Sequence, residues 1–460
     1  MKTKLLYAAV CAIFVAGPIS AAVTPEEAAK LGTTLTPFGA EPAGNADGSI
    51  PPYTGGIKKL ISALPADFVP GSGVYPDPFK DEKPLYSINA SNKSQYENFL
   101  TPGTAAVMAR FPNYRVNVYP THRTMAYPDW VLDNTKKNAV NATQTGEIAG
   151  DGVKGAWAGL PFPIPKDGYE VMWNNILRWN GGYYHSHFSA YLVDSNGRRT
   201  MLNETKLDSN YPYYDKTQDK PASDNYVFYA RISESQAPAS QAGVRVLATQ
   251  TNDSSVQDVT TWAYLPGQRR VRMAPEQSYD TPASSFGGAI NYDEIGLFSG
   301  RPDRFDFNLV GKKEIIIPYN AYQANSAKAD DLYQKEYLNP DLVRWEKHRV
   351  WVVDAKLKPG KRHAFSRWTF YFDEDTWSVV ATEAYDQSGK LYRVAFHNSY
   401  IAYDYPVATA ALLVFYDLSK NSYVTSVGRG PNGQGHFKPQ EKPQPMGNFT
   451  SNTLVRGGVR

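Results

Sequence analysis

The stretch 256–275, VQDVTTWAYLPGQRRVRMAP, has the sequence of a complete β-hairpin. Pro266 and Gly267 stand at the second and third positions of a four-residue turn, and Gly at the third position accepts the positive φ of a type II turn. The flanking residues are mainly aromatic, β-branched or arginine, which suits two paired strands. The stretch therefore predicts two antiparallel strands joined by a type II turn at 265–268.

The second half of the chain continues this pattern of short β-forming runs and tight turns. Asn196-Gly197 separates the runs 188–193 and 199–202, and Asn-Gly between alternating runs is a strong hairpin signal. Further strands are predicted at 226–232, 244–250, 305–310, 314–318, 349–357, 365–372, 377–384 and 391–396. Short connections make neighbouring strands antiparallel, and a sheet of about nine to eleven strands must curl or close to protect its faces. We expect a mainly β fold with one large, curved antiparallel sheet in the form of a half-open barrel.

Alternation within 365–372 predicts that both faces of this sheet are covered. Trp368, Phe370 and Phe372 share one face, while Thr369 and Tyr371 lie on the other. Neither face is polar enough for water alone. A curved sheet whose concave side lines a cavity and carries helices fits this pattern.

The N-terminal third predicts an irregular arm and short helices. The stretch 36–84 is dense in Pro and Gly but contains scattered aromatic residues, so we expect an arm that packs on the surface of the body. Thr24-Pro25-Glu26-Glu27 is a capping box that starts a short helix. Other helices are predicted at 94–100, 101–111, 128–143 and 167–179.

The first 22 residues have the order of a secretory signal peptide. Lys2 and Lys4 precede an apolar run, and small residues follow it. The expected layout is a signal peptide at 1–22, the arm and short helices at 23–150, the sheet body at 151–427, and a Gly/Pro-rich tail at 428–460. The single cysteine, Cys11, lies within the signal, so the mature chain has no thiol chemistry. We expect a periplasmic product, soluble or loosely associated with the outer membrane.

Charge and motifs exclude several functions. Lys and Arg total 48 against 45 Asp and Glu, and a nearly neutral exported chain is not suited to nucleic acid. The aromatic content of 13% suits apolar cavities or carbohydrate stacking. No His-Glu-x-x-His, Gly-x-Ser-x-Gly or phosphate-binding loop occurs.

Two other clusters are candidate sites. His185 and His187 share a strand face and could bind metal, but no third ligand is evident, so we expect no metal and no cofactor. Asp373, Glu374 and Asp375 could serve glycoside hydrolysis, although at a tight hairpin we expect turn residues in water. The Gly-rich stretch 428–435 has no strand-to-helix context and is interpreted as part of a tail.

Several stretches carry a family resemblance. The Trp-x-Tyr-x-Pro turn followed by Arg-Arg-Val-Arg resembles a strand pair of periplasmic lipoprotein carriers. Six longer stretches resemble the exported proteobacterial family of domain of unknown function 1329: LTPFGAEPAGNADGSIPPYTGG (35–56), VYPTHRT (118–124), GLPFPIPKDGYEVMWN (159–174), FSGRPDRFDFNLVGKKE (298–314), RWEKHRVWVVDAKLKPGKRH (344–363) and FYFDEDTW (370–377). That family is similar to outer-membrane lipoprotein-sorting proteins. The resemblance implies a half-barrel carrier of lipid or another apolar molecule, encoded near large exporters, and it brings no catalytic residue.

The leading hypothesis is therefore a non-enzymatic carrier for a lipid or other apolar molecule, serving the outer membrane or an exporter. The residues expected to line its cavity are Trp262, Tyr264, Trp368, Phe370 and Phe372. The residues expected to contact acidic headgroups or a partner protein are Arg269, Arg270 and Arg272. Two alternatives stay open: a glycan-binding or glycan-active protein that displays its aromatic rings in an open groove, and an exporter adaptor without a ligand.

The signal peptide gives the first prediction. The mature protein should begin at Ala22 or Val23, because the small residues Ser20, Ala21 and Ala22 follow the apolar run. N-terminal sequencing of protein from a periplasmic extract checks this. An intact Met1 or a lipid on Cys11 would contradict it.

Overall fold

A computed structural model describes residues 23–61, 63–274, 279–409, 412–428 and 437–456. Within them the chain is mainly β, with one 16-stranded sheet and two small two-stranded sheets. The strands are β1 (Tyr86–Asn89), β2 (Arg115–Val118), β3 (Thr143–Thr145), β4 (Gly152–Lys154), β5 (Tyr183–Val193), β6 (Arg199–Asn210), β7 (Val227–Ala237), β8 (Arg245–Thr251), β9 (Thr260–Leu265), β10 (Arg270–Met273), β11 (Phe305–Pro318), β12 (Trp345–Leu357), β13 (Arg367–Asp373), β14 (Val379–Tyr385), β15 (Leu391–Asn398), β16 (Ile401–Ala402), β17 (Val407–Ala408), β18 (Leu412–Asp417), β19 (Ser422–Val427) and β20 (Lys438–Gln440).

The described helices are short and are distributed along the chain. They are α1 (Pro25–Ala28), α2 (Ile57–Leu60), α3 (Pro102–Arg110), α4 (Asp129–Asn141), α5 (Gly168–Ile176), α6 (Tyr322–Ser326), α7 (Ala329–Leu332) and α8 (Ser451–Arg456), with 3-10 turns at Lys93–Phe99, Pro212–Tyr214, Ser284–Phe286, Tyr292–Leu297 and Met446–Asn448. None of the helices in the described ranges has the length and apolar character of a membrane span.

The large sheet is open, as predicted. Its strand order is β1-β2-β12-β13-β14-β15-β18-β19-β5-β6-β7-β8-β9-β10, with β11 along the other edge of β12 and β20 paired to β5. The ladders are antiparallel apart from a parallel bridge between Trp345 of β12 and Val118 of β2. The mainly β, half-open fold class is confirmed, with more strands than expected because β1, β2, β18, β19 and β20 also join the sheet.

Two local predictions are corrected by the backbone. Arg270 pairs with Leu265, so four residues connect β9 to β10, and the residue with positive φ is Arg269 rather than Gly267. The predicted type II turn is therefore wrong, because loops of this length are usually built around a type I turn. The predicted strands 305–310 and 314–318 form one strand, β11, with a register shift between Leu309 and Gly311.

The sheet has two covered faces, which we call the inner face and the outer face. Trp368, Phe370 and Phe372 lie on the inner face in the largest core cluster, whereas Tyr371 lies on the outer face in a second cluster. This alternation is as predicted. Side chains of α5 belong to the inner cluster and side chains of α3 belong to the outer one.

Capping side chains fix where these two helices begin. The Thr101 hydroxyl accepts a hydrogen bond from the Thr104 amide at the start of α3. The Asp167 carboxylate accepts one from the Glu170 amide at the start of α5. Each bond satisfies a backbone donor that the helix leaves unpaired at its first turn.

The Pro/Gly-rich arm contributes side chains to the inner core. Phe38, Ile57, Tyr75 and Phe79 are buried in the inner cluster. The irregular backbone therefore covers part of the sheet body, although the four-part division of the chain stays a prediction.

The end of the chain also packs on the sheet. Phe449 and Leu454, which belong to α8 and the turn before it, are buried with Ile232 and Leu247 on the outer face of β7 and β8. Apart from Gly428, the Gly-rich stretch 428–435 lies outside the described residues.

Candidate functional site

A cavity of about 270 Å³ opens on the inner face of the sheet. Strands β5 to β8 form one wall, and the segment 284–300 faces them. The C-terminal end of α5 and parts of β18 and β19 complete the lining. Its apolar lining side chains are Ile176, Phe188, Leu207, Phe228, Val244, Val246, Phe286, Ile295, Phe298, Leu413 and Phe437.

Strand alternation decides which residues face this cavity. On β7, the side chains of Arg231, Ser233 and Ser235 line the cavity. Ala230 and Ile232 point the other way, into the small cluster beneath α8. A register shift near Phe228 disturbs the alternation, and both Phe228 and Tyr229 line the cavity. The more apolar side of β7 therefore lies away from the cavity, which explains why hydrophobicity alone did not locate the site.

The predicted aromatic lining residues fall into two separate places. Trp262 and Tyr264 lie on the outer face and pack in the small cluster beneath α8. Trp368, Phe370 and Phe372 lie on the inner face and are almost completely buried. None of these five residues lines the cavity. The two sets lie on opposite faces of the sheet.

The inner aromatic set nevertheless adjoins the cavity through one residue. Phe298 lines the cavity, and its ring centroid lies 6.0 Å from that of Trp368 and 5.7 Å from that of Phe370. These buried rings therefore support the wall that Phe298 forms. Their predicted contact with a ligand stays a prediction.

The predicted arginine cluster lies at the end of the sheet. Arg269, Arg270 and Arg272 are exposed on the last strand, β10, and on the turn before it. No ion pair between described residues includes any of the three. They are free to meet a partner or an acidic surface, which stays a prediction.

The histidine pair faces away from the cavity. Tyr184, Ser186 and Phe188 line it, so the alternate residues His185 and His187 point to the outer face. His185 Nδ1 lies 2.9 Å from Asp208 Oδ1, and His187 Nε2 lies 3.1 Å from Glu204 Oε1. Each histidine thus has a different carboxylate beside it.

The acidic turn after β13 contradicts its interpretation as a solvent-exposed turn. Asp373, Glu374 and Asp375 are at most 2% exposed. Arg123 Nε donates to Asp375 Oδ2 at 2.8 Å and Arg123 Nη2 donates to Oδ1 at 2.6 Å. The expectation was wrong because the arm, distant in sequence, folds over the turn.

Contacts from the arm show how this cover is held. The Arg123 guanidinium also donates to the Glu41 carbonyl oxygen at 2.8 Å, and Trp377 Nε1 donates to the Phe38 carbonyl oxygen at 2.9 Å. Lys312 Nζ lies between Glu374 and Glu41, at 2.8 and 3.1 Å. We call Glu41, Arg123, Lys312, Asp373, Glu374 and Asp375 the buried ionic cluster, in which Glu41 is the half-exposed member.

Asp373 is the least compensated member of the buried ionic cluster. Its Oδ2 accepts hydrogen bonds from the Thr376 amide and hydroxyl, at 2.9 and 2.8 Å, and from the Tyr319 hydroxyl at 3.3 Å. Its Oδ1 has no hydrogen-bond partner among the described residues and lies 3.7 Å from His348 Nδ1. Burial, and next the charge of Asp375, raise the pKa of Asp373 to about 6.

His348, Asp373 and Asp375 form the one group within the described ranges whose atoms lie close enough for metal ligation, within 4.8 Å of one another. Both oxygens of Asp375 are already bound by Arg123. The Arg123 guanidinium therefore binds the carboxylate oxygens that a metal ion would need as ligands. The three side chains are also too buried to form the open cleft that glycoside hydrolysis requires.

Comparison with other proteins places the chain in a family. Residues 87–455 match DUF1329, a family of proteins of unknown function. An uncharacterised protein of Pseudomonas aeruginosa is 39% identical over 431 residues, with 92% of each chain covered. The chain belongs to the DUF1329 family. The predicted family membership is confirmed.

Solved structures resemble part of this DUF1329 protein. A putative outer membrane lipoprotein-sorting protein domain from Vibrio parahaemolyticus matches with a TM-score of 0.42 and 13% identity, over 63% of this chain and 98% of that one. A DUF1329 family protein from Desulfovibrio piger matches with a TM-score of 0.42 and 14% identity, over 62% of this chain and 97% of that one. At these values the similarity gives no functional conclusion for this chain.

The buried ionic cluster of this chain gives a matched pair of predictions. Replacing Asp375 with Asn should lower the free energy of unfolding by about 3 kcal/mol, because it removes the bidentate partner of buried Arg123. Replacing Asp373 with Asn should cost far less at neutral pH, because it removes a carboxylate whose ionisation the folded state disfavours. Urea unfolding followed by circular dichroism measures both. Equal losses in the two variants would contradict this account.

The pH dependence of the same pair has a defined sign. The pKa of Asp373 is about 6 in the folded protein against an ordinary value of 3.8. The stability that protonated Asp373 contributes is therefore complete below about pH 4 and lost as the pH rises through about 6. The stability of wild type relative to Asp373→Asn should fall by on the order of 1–3 kcal/mol across this window. A constant difference would show that Asp373 does not titrate there.

Proposed function

We propose that this protein is a non-enzymatic periplasmic binding protein that carries a lipid or other largely apolar molecule in the cavity on the inner face of its sheet. The observation that carries the proposal is the cavity itself, with aromatic and aliphatic side chains from both walls. Its volume of about 270 Å³ is close to the lower end of the range, roughly 300–1,000 Å³, of small-molecule pockets.

The energetics favour a chain-like apolar ligand. Burying each methylene is worth about 0.8 kcal/mol, so about ten of them contribute roughly 8 kcal/mol before the costs of binding. Phe188, Phe228 and Phe298 offer the flat apolar surfaces that such a chain needs. An affinity useful to a carrier follows without covalent chemistry.

The charges of the lining argue against hydrolysis in this cavity. No Asp, Glu, His or Lys lines it among the described residues. A glycosidase needs two carboxylates beside the scissile bond, and the described lining residues include no carboxylate. The glycan-active alternative therefore receives no support from this cavity.

Localisation and partners complete the proposal. The N-terminal signal sequence directs the chain to the periplasm. The open strand β10, with exposed Arg270 and Arg272, is the surface proposed to meet an exporter, an outer-membrane protein or an acidic membrane surface. An adaptor without a ligand would use this edge and leave the cavity empty.

The proposal predicts a bound molecule and a way to exclude it. Protein purified without detergent should release near-stoichiometric lipid or another apolar compound into organic solvent, identified by mass spectrometry, because an empty apolar cavity forfeits dispersion contacts. Ser233→Phe should weaken uptake of a fluorescent fatty-acid probe by about tenfold or more, because the added ring fills the cavity.

The control places the same ring elsewhere. Lys206 is exposed on the outer face of the neighbouring strand, so Lys206→Phe should leave probe uptake unchanged. Both variants must retain the wild-type circular dichroism spectrum and melting temperature. Detergent-free protein that releases no apolar compound and takes up no probe would overturn the proposed function.

A further inference from the structure

The cavity lining carries positive charge and no compensating negative charge. Arg178, just after α5, and Arg231, on β7, both line the cavity. The other lining residues within the described ranges are uncharged. Neither arginine takes part in an ion pair between described residues, in contrast to Arg123 and Lys312 of the buried ionic cluster.

The strand register explains why Arg231 has no acidic neighbour. Its partners across the sheet are Ser209 on β6 and Ala248 on β8. The nearby acidic residues Asp208 and Glu234 alternate to the outer face, where they lie beside His185 and Arg245. The inner face of β7 therefore presents a cation among neutral side chains.

Parts of both guanidinium groups are buried without a partner. Arg231 Nε and Arg178 Nε are inaccessible to solvent and form no hydrogen bond with described residues. Arg178 Nη1 donates to the Asn175 carbonyl oxygen at 2.6 Å, which holds this side chain at the end of α5. Buried donors on a cation are costly unless an acceptor satisfies them.

A group of tyrosines lies beside the two arginines. The ring centroid of Tyr211 lies 6.1 Å from that of Tyr184 and 5.0 Å from that of Tyr229, and all three rings line the cavity. Burial raises the pKa of Tyr184 and Tyr211, while the charges of Arg231 and Arg178, respectively, oppose this rise. The raised pKa keeps Tyr184 and Tyr211 as neutral hydroxyl groups near the two guanidinium groups.

We infer that the ligand of this cavity is an anionic amphiphile, whose carboxylate or phosphate group accepts hydrogen bonds from Arg231 and Arg178 while its apolar chain packs against the phenylalanine rings. The inference rests on the proposed function and adds the charge of the ligand to it. Guanidinium groups match carboxylate and phosphate oxygens in geometry, and hydrogen bonds between charged partners are the stronger ones. The absence of acidic lining residues also selects against a cationic amphiphile.

The first test compares ligands that share one chain on the wild-type protein. Dodecanoate and dodecyl phosphate should each bind about tenfold or more tighter than dodecanol, because a hydrogen bond to a charged group contributes about 1.5–3 kcal/mol. Dodecyltrimethylammonium should bind more weakly than dodecanol. Isothermal titration calorimetry below the micellar concentrations measures all four.

The second test removes the charge. Arg231→Gln should weaken dodecanoate binding to the level of dodecanol and leave dodecanol binding unchanged. Arg178→Gln should act in the same direction, but it also removes the contact with Asn175, so the conclusion depends on Arg231→Gln. Arg198→Gln, the same change on an exposed hairpin, should leave every affinity unchanged.

The outcomes separate this inference from the proposed function. Binding of dodecanol and dodecanoate with equal affinity, unaffected by Arg231→Gln, would overturn the anionic ligand and keep the carrier. Failure of all the chain-bearing ligands to bind would overturn the carrier itself. Inorganic phosphate should compete with dodecyl phosphate only weakly because it lacks the chain. Equal affinity of these two would identify a free phosphate site and contradict the amphiphile.

Discussion

A wide open sheet must cover both of its faces, and this requirement governs the rest of the molecule. The central strand β18 is buried at every residue, and the other central strands are nearly so. Covers therefore come from distant parts of the chain: the arm and α5 on the inner face, α3 and the loops after β11 on the outer face, and α8 at the far end. The cavity forms where the cover of the inner face, the segment 284–300, does not fill the space above β5 to β8.

The buried ionic cluster adds a polar contact to the apolar ones that hold the arm to the sheet. Four of the stretches that carry the family resemblance meet there, contributing Glu41, Arg123, Lys312 and Asp373 to Asp375. Desolvating so many charges is costly, and such groups stabilise a fold only when each has a partner. Arg123 and Lys312 are the partners of the acidic turn, and both also bind Glu41 of the arm, so the cluster ties the arm to the turn after β13. The cavity lies elsewhere on the same sheet and shares no residue with the buried ionic cluster.

Local signals in the sequence predicted much of the fold. Asn196-Gly197, the caps Thr101 and Asp167, and the alternation of Trp368, Phe370 and Phe372 each depend on neighbouring residues, and the structure agrees with them. Signals that depend on distant residues failed. The acidic turn resembled a surface turn because nothing local indicates that the arm covers it.

The cavity was missed for a related reason. Alternation on β7 groups Arg231 with Ser233 and Ser235 and opposes them to Ile232, but it does not say which side faces water. The polar side resembled a solvent face, whereas α8 covers the apolar side and the polar side lines the cavity. Trp262 and Tyr264 were expected to line the cavity, but buried Tyr264 and partly buried Trp262 pack beneath α8 on the other face. The sequence feature that could have indicated the cavity was Arg231, a charged residue on the same strand face as Ser233 and Ser235.

A crystal structure of protein purified without detergent tests the central claim most directly, because it observes the occupant of the cavity in place. A bound anionic amphiphile should give elongated electron density between β5 to β8 and the segment 284–300, with its polar end within hydrogen-bond distance of Arg231. A cavity that holds only ordered water, or one closed by the side chains of that segment, would contradict the central claim.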